Sequence, residues 1–277
     1  MSDLELKSCA VINDLTGFGR CALNVSVPVM SAQGVRVLSV PTAVLSNHTA
    51  FDEYFFCDLT ESLEDYLTGF YKLGLSFDGI YTGFLGSEKQ VDIISDFIDR
   101  ANGENTLLFV DPVMGDDGKL YSTYTPSLVE RMKELAARAD IITPNLTEAC
   151  LLADESYEKF CTADDASLFT LAEKLCTAGA ARCIITGIYR RGRVFNIVYD
   201  STANERFITS SKYIAGQFCG TGDLFASLLC GYILRGVPLR RAMKKASSFL
   251  CRAVRLSAKL GVSPTDGVAF EPLLHRV

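Results

Sequence analysis

The stretch spanning residues 79–110, GIYTGFLGSEKQVDIISDFIDRANGENTLLFV, decides how the chain is read. It opens on a short apolar run, Gly79-Ile-Tyr81, and closes on a second, residues 106–110. Between them, residues 87–101 carry Val91, Ile94, Phe97 and Ile98 on one face at helical spacing. Strand, amphipathic helix, strand is the repeating unit of a parallel sheet, because two parallel strands need a crossover to join them.

The alternation continues in both directions. Upstream, residues 9–12 and 35–40 read as strands, the second closed by Pro41. A helix over 21–33 lies between them, with Pro28 a flaw in its interior, and another over 59–73 follows. Downstream, helices over 126–138, 145–153 and 164–178 alternate with strands over 140–142 and 182–186. The period then changes. Residues 194–199 and 206–213 read as an antiparallel pair around Ser201-Thr-Ala-Asn204, and helices over 221–235 and 239–260 follow. The expectation is an α/β fold of three layers, α/β/α, with a mostly parallel central sheet and an antiparallel edge hairpin. No linker, repeat or low-complexity stretch interrupts 1–277, so a single domain is expected.

Composition excludes several classes of function. With 27 basic and 33 acidic side chains the net charge is −6, which argues against nucleic acid as a partner. No stretch reaches the roughly 18 uninterrupted apolar residues of a membrane span. The acidic start Met1-Ser2-Asp3-Leu4-Glu5 lacks the basic opening of a signal peptide. Ten cysteines without a C-x-x-C pair read as reduced core residues of a cytoplasmic protein, Cys219 being notable for bordering the main motif. Two histidines, His48 and His275, rule out a multi-histidine zinc site, and no G-x-S-x-G elbow supports a hydrolase. Any metal should be held by oxygen, which points to magnesium.

In parallel sheets, ligands bind beyond the carboxyl ends of the strands. The unusual residues cluster there. Gly17-x-Gly19-x-x-Ala22 fits a dinucleotide fingerprint, but the second strand ends without the acidic residue that a ribose needs, and a plain turn explains the glycines equally well. Gly220-Thr221-Gly222-Asp223 is the stronger signal. Two glycines at the start of an apolar helix let backbone N–H groups approach a phosphate, and the helix dipole favours negative charge there. A carboxylate at that place repels an anion unless it serves a purpose, such as accepting a proton from an attacking hydroxyl. Asp111 stands at the end of an apolar strand. Thr143-Pro144-Asn145-x-x-Glu148 puts polar groups at the next strand end, where Asn145 and Glu148 also suit a capping box. With Asp111 and Asp223, they suit magnesium and nucleotide phosphates. The polar segment Gly115-Asp-Asp-Gly-Lys-Leu-Tyr121 reads either as a flap over a reactive phosphate or as a solvated loop. In Leu45-Ser-Asn-His48-Thr49, the position favours a ligand contact for His48, against a hydrogen-bonded structural histidine.

With these motifs in view, the chain resembles the pyridoxal kinases of the ribokinase-like superfamily nearly end to end. Leu45-Ser-Asn-His48-Thr49 is similar to their S-N-H-T segment, Gly83-Phe-Leu-Gly86 to their G-Y-L-G turn, and Asp111-Pro-Val-Met-Gly115 to their phosphate and metal region. Gly220-Thr-Gly-Asp223 matches the anion hole and catalytic base of many sugar kinases, whereas S-N-H-T with D-P-V-M-G is far more specific to vitamin B6 kinases. The resemblance implies ATP-dependent phosphorylation of the 5′-hydroxymethyl group of pyridoxal, pyridoxine or pyridoxamine. It implies Asp223 as base and Gly220, Thr221 and Gly222 as the anion hole. Asp111, Thr143, Asn145, Thr186 and Gly187 would hold the nucleotide, with Asp111 and Glu148 near Mg2+. Asn13, Leu45, His48, Thr49, Phe84 and Tyr121 would surround the vitamer. A homodimer and a monovalent cation belong to the same expectation. The chain departs from the pattern at Asn13, where many such kinases have Ser, and at Phe84, where they have Tyr. Residues 14–19 are instead similar to hydroxymethylpyrimidine kinases of thiamine synthesis, which usually carry Cys at the place of Asp223. That enzyme, or a non-catalytic vitamer-binding protein on the same fold, is the alternative.

Overall fold

The structure, a computed structural model, describes residues 6–101, 103, 105–214, 216 and 218–277. The acidic start at residues 1–5 lies outside them. In chain order the elements are β1 (Ser8–Phe18), α1 (Leu23–Ala32), β2 (Arg36–Asn47), β3 (Phe56–Asp58), α2 (Thr60–Lys72), β4 (Gly79–Thr82), α3 (Glu88–Ala101), β5 (Leu107–Val110), β6 (Gly115–Asp116) and β7 (Lys119–Leu120). Then come α4 (Pro126–Ala137), β8 (Ile141–Ile142), α5 (Leu146–Leu152), α6 (Tyr157–Phe160), α7 (Asp165–Thr177), β9 (Arg182–Arg190), β10 (Arg193–Asp200), β11 (Glu205–Lys212), α8 (Thr221–Leu234) and α9 (Leu239–Leu260).

Nine strands form one sheet in the order β11-β10-β9-β8-β5-β4-β1-β2-β3. From β9 to β2 the neighbours are parallel, and β10, β11 and β3 add antiparallel edges. Both faces are covered, as a parallel sheet requires. Along β1 the side chains alternate. Ala10 and Ile12 pack into one core with Leu67, Ile94, Phe97, Leu128 and Leu171 of α2, α3, α4 and α7. Cys9 and Val11 pack into the other, with Met30, Leu228, Leu229 and Phe249 of α1, α8 and α9.

Three strands run well past their sequence reading. β1 continues past Ile12 to Phe18, and β2 passes straight through Pro41 to Asn47. The reason lies in their pairing. Asn13 partners Pro41, and the register shifts between Asn13 and Leu15. An irregularity in the ladder is where a strand tolerates a residue without an N–H. Pro41 therefore marks a bulge and not a strand end. Past it, β1, β2 and β3 form a sheet extension that overhangs the carboxyl end of the main sheet. β9 likewise runs on to Arg190, turning into β10 through Arg191-Gly192, both with positive φ. The segment 115–121 is an ordered hairpin, β6 and β7. Its turn is Asp117-Gly118, with φ of 48° and 77°, the pairing that a two-residue hairpin turn favours.

Candidate active site

α8 begins where a side chain has no room. Gly220 has φ 72°, and a Cβ there would overlap the Arg20 carbonyl oxygen. Glycine thus lets the first turn of α8 abut the loop between β1 and α1. A Cβ at Gly222 would meet nothing within 4 Å, so the space over this turn is open. The first N–H groups of the helix face that space without helical partners. Asp223 lies in the first turn, half-buried, beside the buried Asn13, whose Nδ2 donates to its carboxylate at 3.4 Å. Burial raises the Asp223 pKa, and the Ala22 amide and the Asn13 side chain only partly oppose this. The Asn13 carbonyl is already committed, accepting from the Asp14 amide at 3.0 Å and the Phe84 amide at 2.9 Å. Asn13 therefore joins Asp223 to the β4 turn.

Opposite stands Asp111, buried at the end of β5. The Thr143 hydroxyl donates to it at 2.8 Å. Burial first and the Asp223 charge second push its pKa up to about 7. Glu148 is buried too, and its pKa is raised by burial and then by Asp111. Both its oxygens accept amides, from Asn145 at 2.8 Å and Met114 at 3.2 Å. The Asn145 side chain accepts from the Glu148 amide at 3.0 Å, so the capping box is formed, and its Nδ2 also donates to the Gly115 carbonyl at 2.7 Å. One residue thus caps α5 and fastens the start of the hairpin.

Among the described residues no cluster of three or more His, Cys, Asp or Glu side chains is set to enclose a metal. The donors present are hard oxygens. Asp111 keeps a carboxylate oxygen beyond its bond to Thr143, while Glu148, with both oxygens engaged, would reach a cation only through water. That set fits magnesium, which usually takes one or two carboxylates and fills its shell with water and phosphate.

Thr186 donates its amide to the Pro144 carbonyl at 2.8 Å. The next residue, Gly187, has φ 75° and gives its amide to the Asn196 side chain at 3.1 Å. Asn196 was not singled out from the sequence. The hairpin is tied down at its turn, where the Gly118 amide donates to the Thr147 hydroxyl at 2.8 Å. Tyr121, at its exit, is exposed and donates its amide to Met114 at 3.0 Å.

On the overhanging extension and just past it, Leu45 is buried and Thr49 is exposed; in the turn after β4, Phe84 lies half-buried edge-on to Tyr124 with centroids 6.3 Å apart. His48 is buried and faces inward. Its Nδ1 accepts from the Ala50 amide at 3.3 Å, which leaves the proton on Nε2 to donate to the Thr265 carbonyl at 2.6 Å. The geometry supports the structural reading of His48: it pins the segment after β2 to a distant turn. Asp14, which sequence reading passed over, is half-buried beside Asp223 and accepts from the Thr16 hydroxyl at 2.7 Å. Its sequence signals are its place next to Asn13 and in the stretch 14–19 that is similar to hydroxymethylpyrimidine kinases. A cavity of about 330 Å³ between Arg36, Ser76 and Asp78 lies at the other end of the strands and holds none of these groups.

Comparison with known proteins gives the family and the fold. The family model for phosphomethylpyrimidine kinase matches residues 26–267. A pyridoxine/pyridoxal/pyridoxamine kinase of Bordetella avium is 30% identical over 86% of this chain and 81% of its own. Two crystal structures are close in fold. One is a phosphomethylpyrimidine kinase homologue of Bacteroides thetaiotaomicron crystallised with pyridoxal, with TM-score 0.94 and 35% identity over 98% of this chain and 95% of that one. The other is the pyridoxal kinase of Lactobacillus plantarum, with TM-score 0.89 and 30% identity over 98% and 96%.

Proposed function

The chain belongs to the phosphomethylpyrimidine kinase family, and from that premise we propose that it transfers the γ-phosphoryl group of ATP to the 5′-hydroxymethyl group of a vitamin B6 vitamer. The observation that carries this reading is the pairing of Asp223, a carboxylate of raised basicity, with an open glycine turn at the start of α8.

Asp223 takes the proton of the acceptor hydroxyl as its oxygen attacks. A raised pKa makes it a better base than an ordinary aspartate. Asn13 holds its carboxylate in place. The N–H groups of Gly220, Thr221 and Gly222 stabilise the negative charge of the transferring group, helped by the helix dipole. Asp111 and Glu148 would hold magnesium, which would neutralise phosphate charge when bound. Thr143, Asn145, Thr186 and Gly187 line the nucleotide side. The β6–β7 hairpin covers the reacting groups against water, and Tyr121 and Phe84 flank the ring with Leu45 and Thr49.

A homodimer and a cytoplasmic setting are part of the same reading. Leu15, Phe18, Phe55 and Phe56 leave apolar surface exposed around the β1–β3 extension, which suits a second copy. All ten cysteines are free, and among the described residues no helix is long and apolar enough to cross a membrane.

The thiamine-route alternative is less supported, because Asp223 stands where hydroxymethylpyrimidine kinases usually carry Cys. Turnover of the three vitamers and of hydroxymethylpyrimidine under identical conditions tests the choice. The vitamers are expected to be phosphorylated faster. A clear preference for the pyrimidine overturns the reading.

A further inference from the structure

The acceptor side carries a carboxylate that this chemistry does not use. Asp14 sits at the irregularity between β1 and β2, half-buried, with one oxygen taking the Thr16 hydroxyl at 2.7 Å. The groups facing it bring no positive charge. Asp223, from the start of α8, adds charge of the same sign, and with the larger influence of burial brings the Asp14 pKa to about 6. Cys21, ahead of α1, and Cys219, ahead of α8, are thiols kept neutral by burial. His48 is turned to the Thr265 carbonyl. Arg20, near in sequence, is committed to Glu271 and to the Asp266 carbonyl. Among the described residues no lysine or arginine forms an ion pair with Asp14.

A shielded carboxylate that is ionised at neutral pH and lacks a counter-cation is unfavourable in the free protein and suited to a cation on a ligand. The reaction fixes where on the ligand that cation must be. This step rests on the vitamin B6 reading, in which the reacting hydroxymethyl group lies at Asp223. On a pyridine ring, substituents of adjacent carbons lie side by side, so the neighbour of that group also faces this corner. In pyridoxal the neighbour is an aldehyde and in pyridoxine a hydroxymethyl group. In pyridoxamine it is an aminomethyl group, the one of the three that is cationic at neutral pH. We propose that Asp14 is a specificity-determining residue that pairs with the ammonium of an aminomethyl acceptor, so that the amine vitamer is the preferred substrate.

The experiment is kcat/KM at neutral pH for pyridoxamine, pyridoxine and pyridoxal, with the native enzyme and with Asp14→Asn. Asparagine keeps an oxygen for the Thr16 hydroxyl. The native enzyme is expected to favour pyridoxamine. The variant should lose roughly 10–100-fold on pyridoxamine, the worth of one charged hydrogen bond, and less than about threefold on the other two. An equal loss on all three, or no loss, overturns the proposal. If the variant does not fold, the native ranking decides alone, and pyridoxamine ranking anywhere but first overturns it. An enzyme that phosphorylates hydroxymethylpyrimidine and none of the vitamers overturns the parent reading as well, a result distinct from a vitamer kinase without amine preference.

Discussion

On the proposed reading, the two ends of the site are built on different principles. The phosphate end, at the head of α8 and the ends of β5 and β8, presents backbone N–H groups and buried carboxylates on regular elements. The acceptor end, on the overhang of β1 and β2 and the turn after β4, presents side chains at an irregular stretch of pairing. Backbone recognition tolerates no added atom at the close approach, whereas side-chain recognition can be retuned one hydrogen bond at a time. Substitutions at the first end should therefore abolish function or destabilise the fold, and those at the second should redirect it.

Asp223→Asn is the largest expected break. It keeps the size and the Asn13 contact but cannot accept the proton, and kcat should fall roughly 10²–10⁴-fold with nucleotide binding kept. Near-normal turnover by the folded variant would remove Asp223 from the mechanism. Gly220→Ala comes next. The left-handed backbone alone costs about 1–3 kcal/mol, and the overlap with Arg20 adds to it. Thermal denaturation should show the loss, while Gly222→Ala, with open space around it, keeps its stability.

Asp111→Asn sharpens the contrast by separating stability from activity. The folded-state pKa of Asp111, about 7, lies above its ordinary value, so the folded protein binds this proton more tightly than the unfolded chain does. The sign follows: stability present at acid pH is lost as pH rises from about 4 through 7. The Asn variant is thus expected to melt higher than the native protein at pH 8, by about 2–4 °C for each kcal/mol relieved, while turnover drops. A lower melting temperature at pH 8 with no loss at pH 5 would contradict this. The smallest effect belongs to the acceptor end. Asn13→Ser with Phe84→Tyr should change the vitamer ranking by roughly a few-fold to tenfold without ending turnover. An identical ranking would move acceptor choice elsewhere.

What was legible in the sequence followed the same divide. The glycines ahead of Asp223, the strand-end Asp111 and the bounds of α9 are local signals, and the structure has them where the sequence puts them. The overhang was not legible. Pro41 reads as a strand end until its partner, Asn13, is known, because only the pairing reveals a bulge. His48 read as a ligand contact since nothing nearby in sequence announces the Thr265 carbonyl. Asp14 is not marked by its neighbours in sequence as a site residue, because the Asp223 charge that bears on it comes from the distant start of α8. The hairpin at 115–121 was within reach, as Asp117-Gly118 is a two-residue turn signal, but its strands are too short to show alternation.

The corner around Gly220 is cross-braced. The Cys219 amide bonds Pro264, its carbonyl receives the Val268 amide, and the Arg20 amide bonds Asp266, while a Cβ on Gly267 would press into Arg20. His48 fastens the overhang to this same turn. Three distant parts of the chain thus act as struts meeting at one joint, with Asp223 one helical turn away. A joint of this kind fixes the overhang and the head of α8 at one setting relative to each other, so the two halves of the site are held in register by parts of the chain that belong to neither.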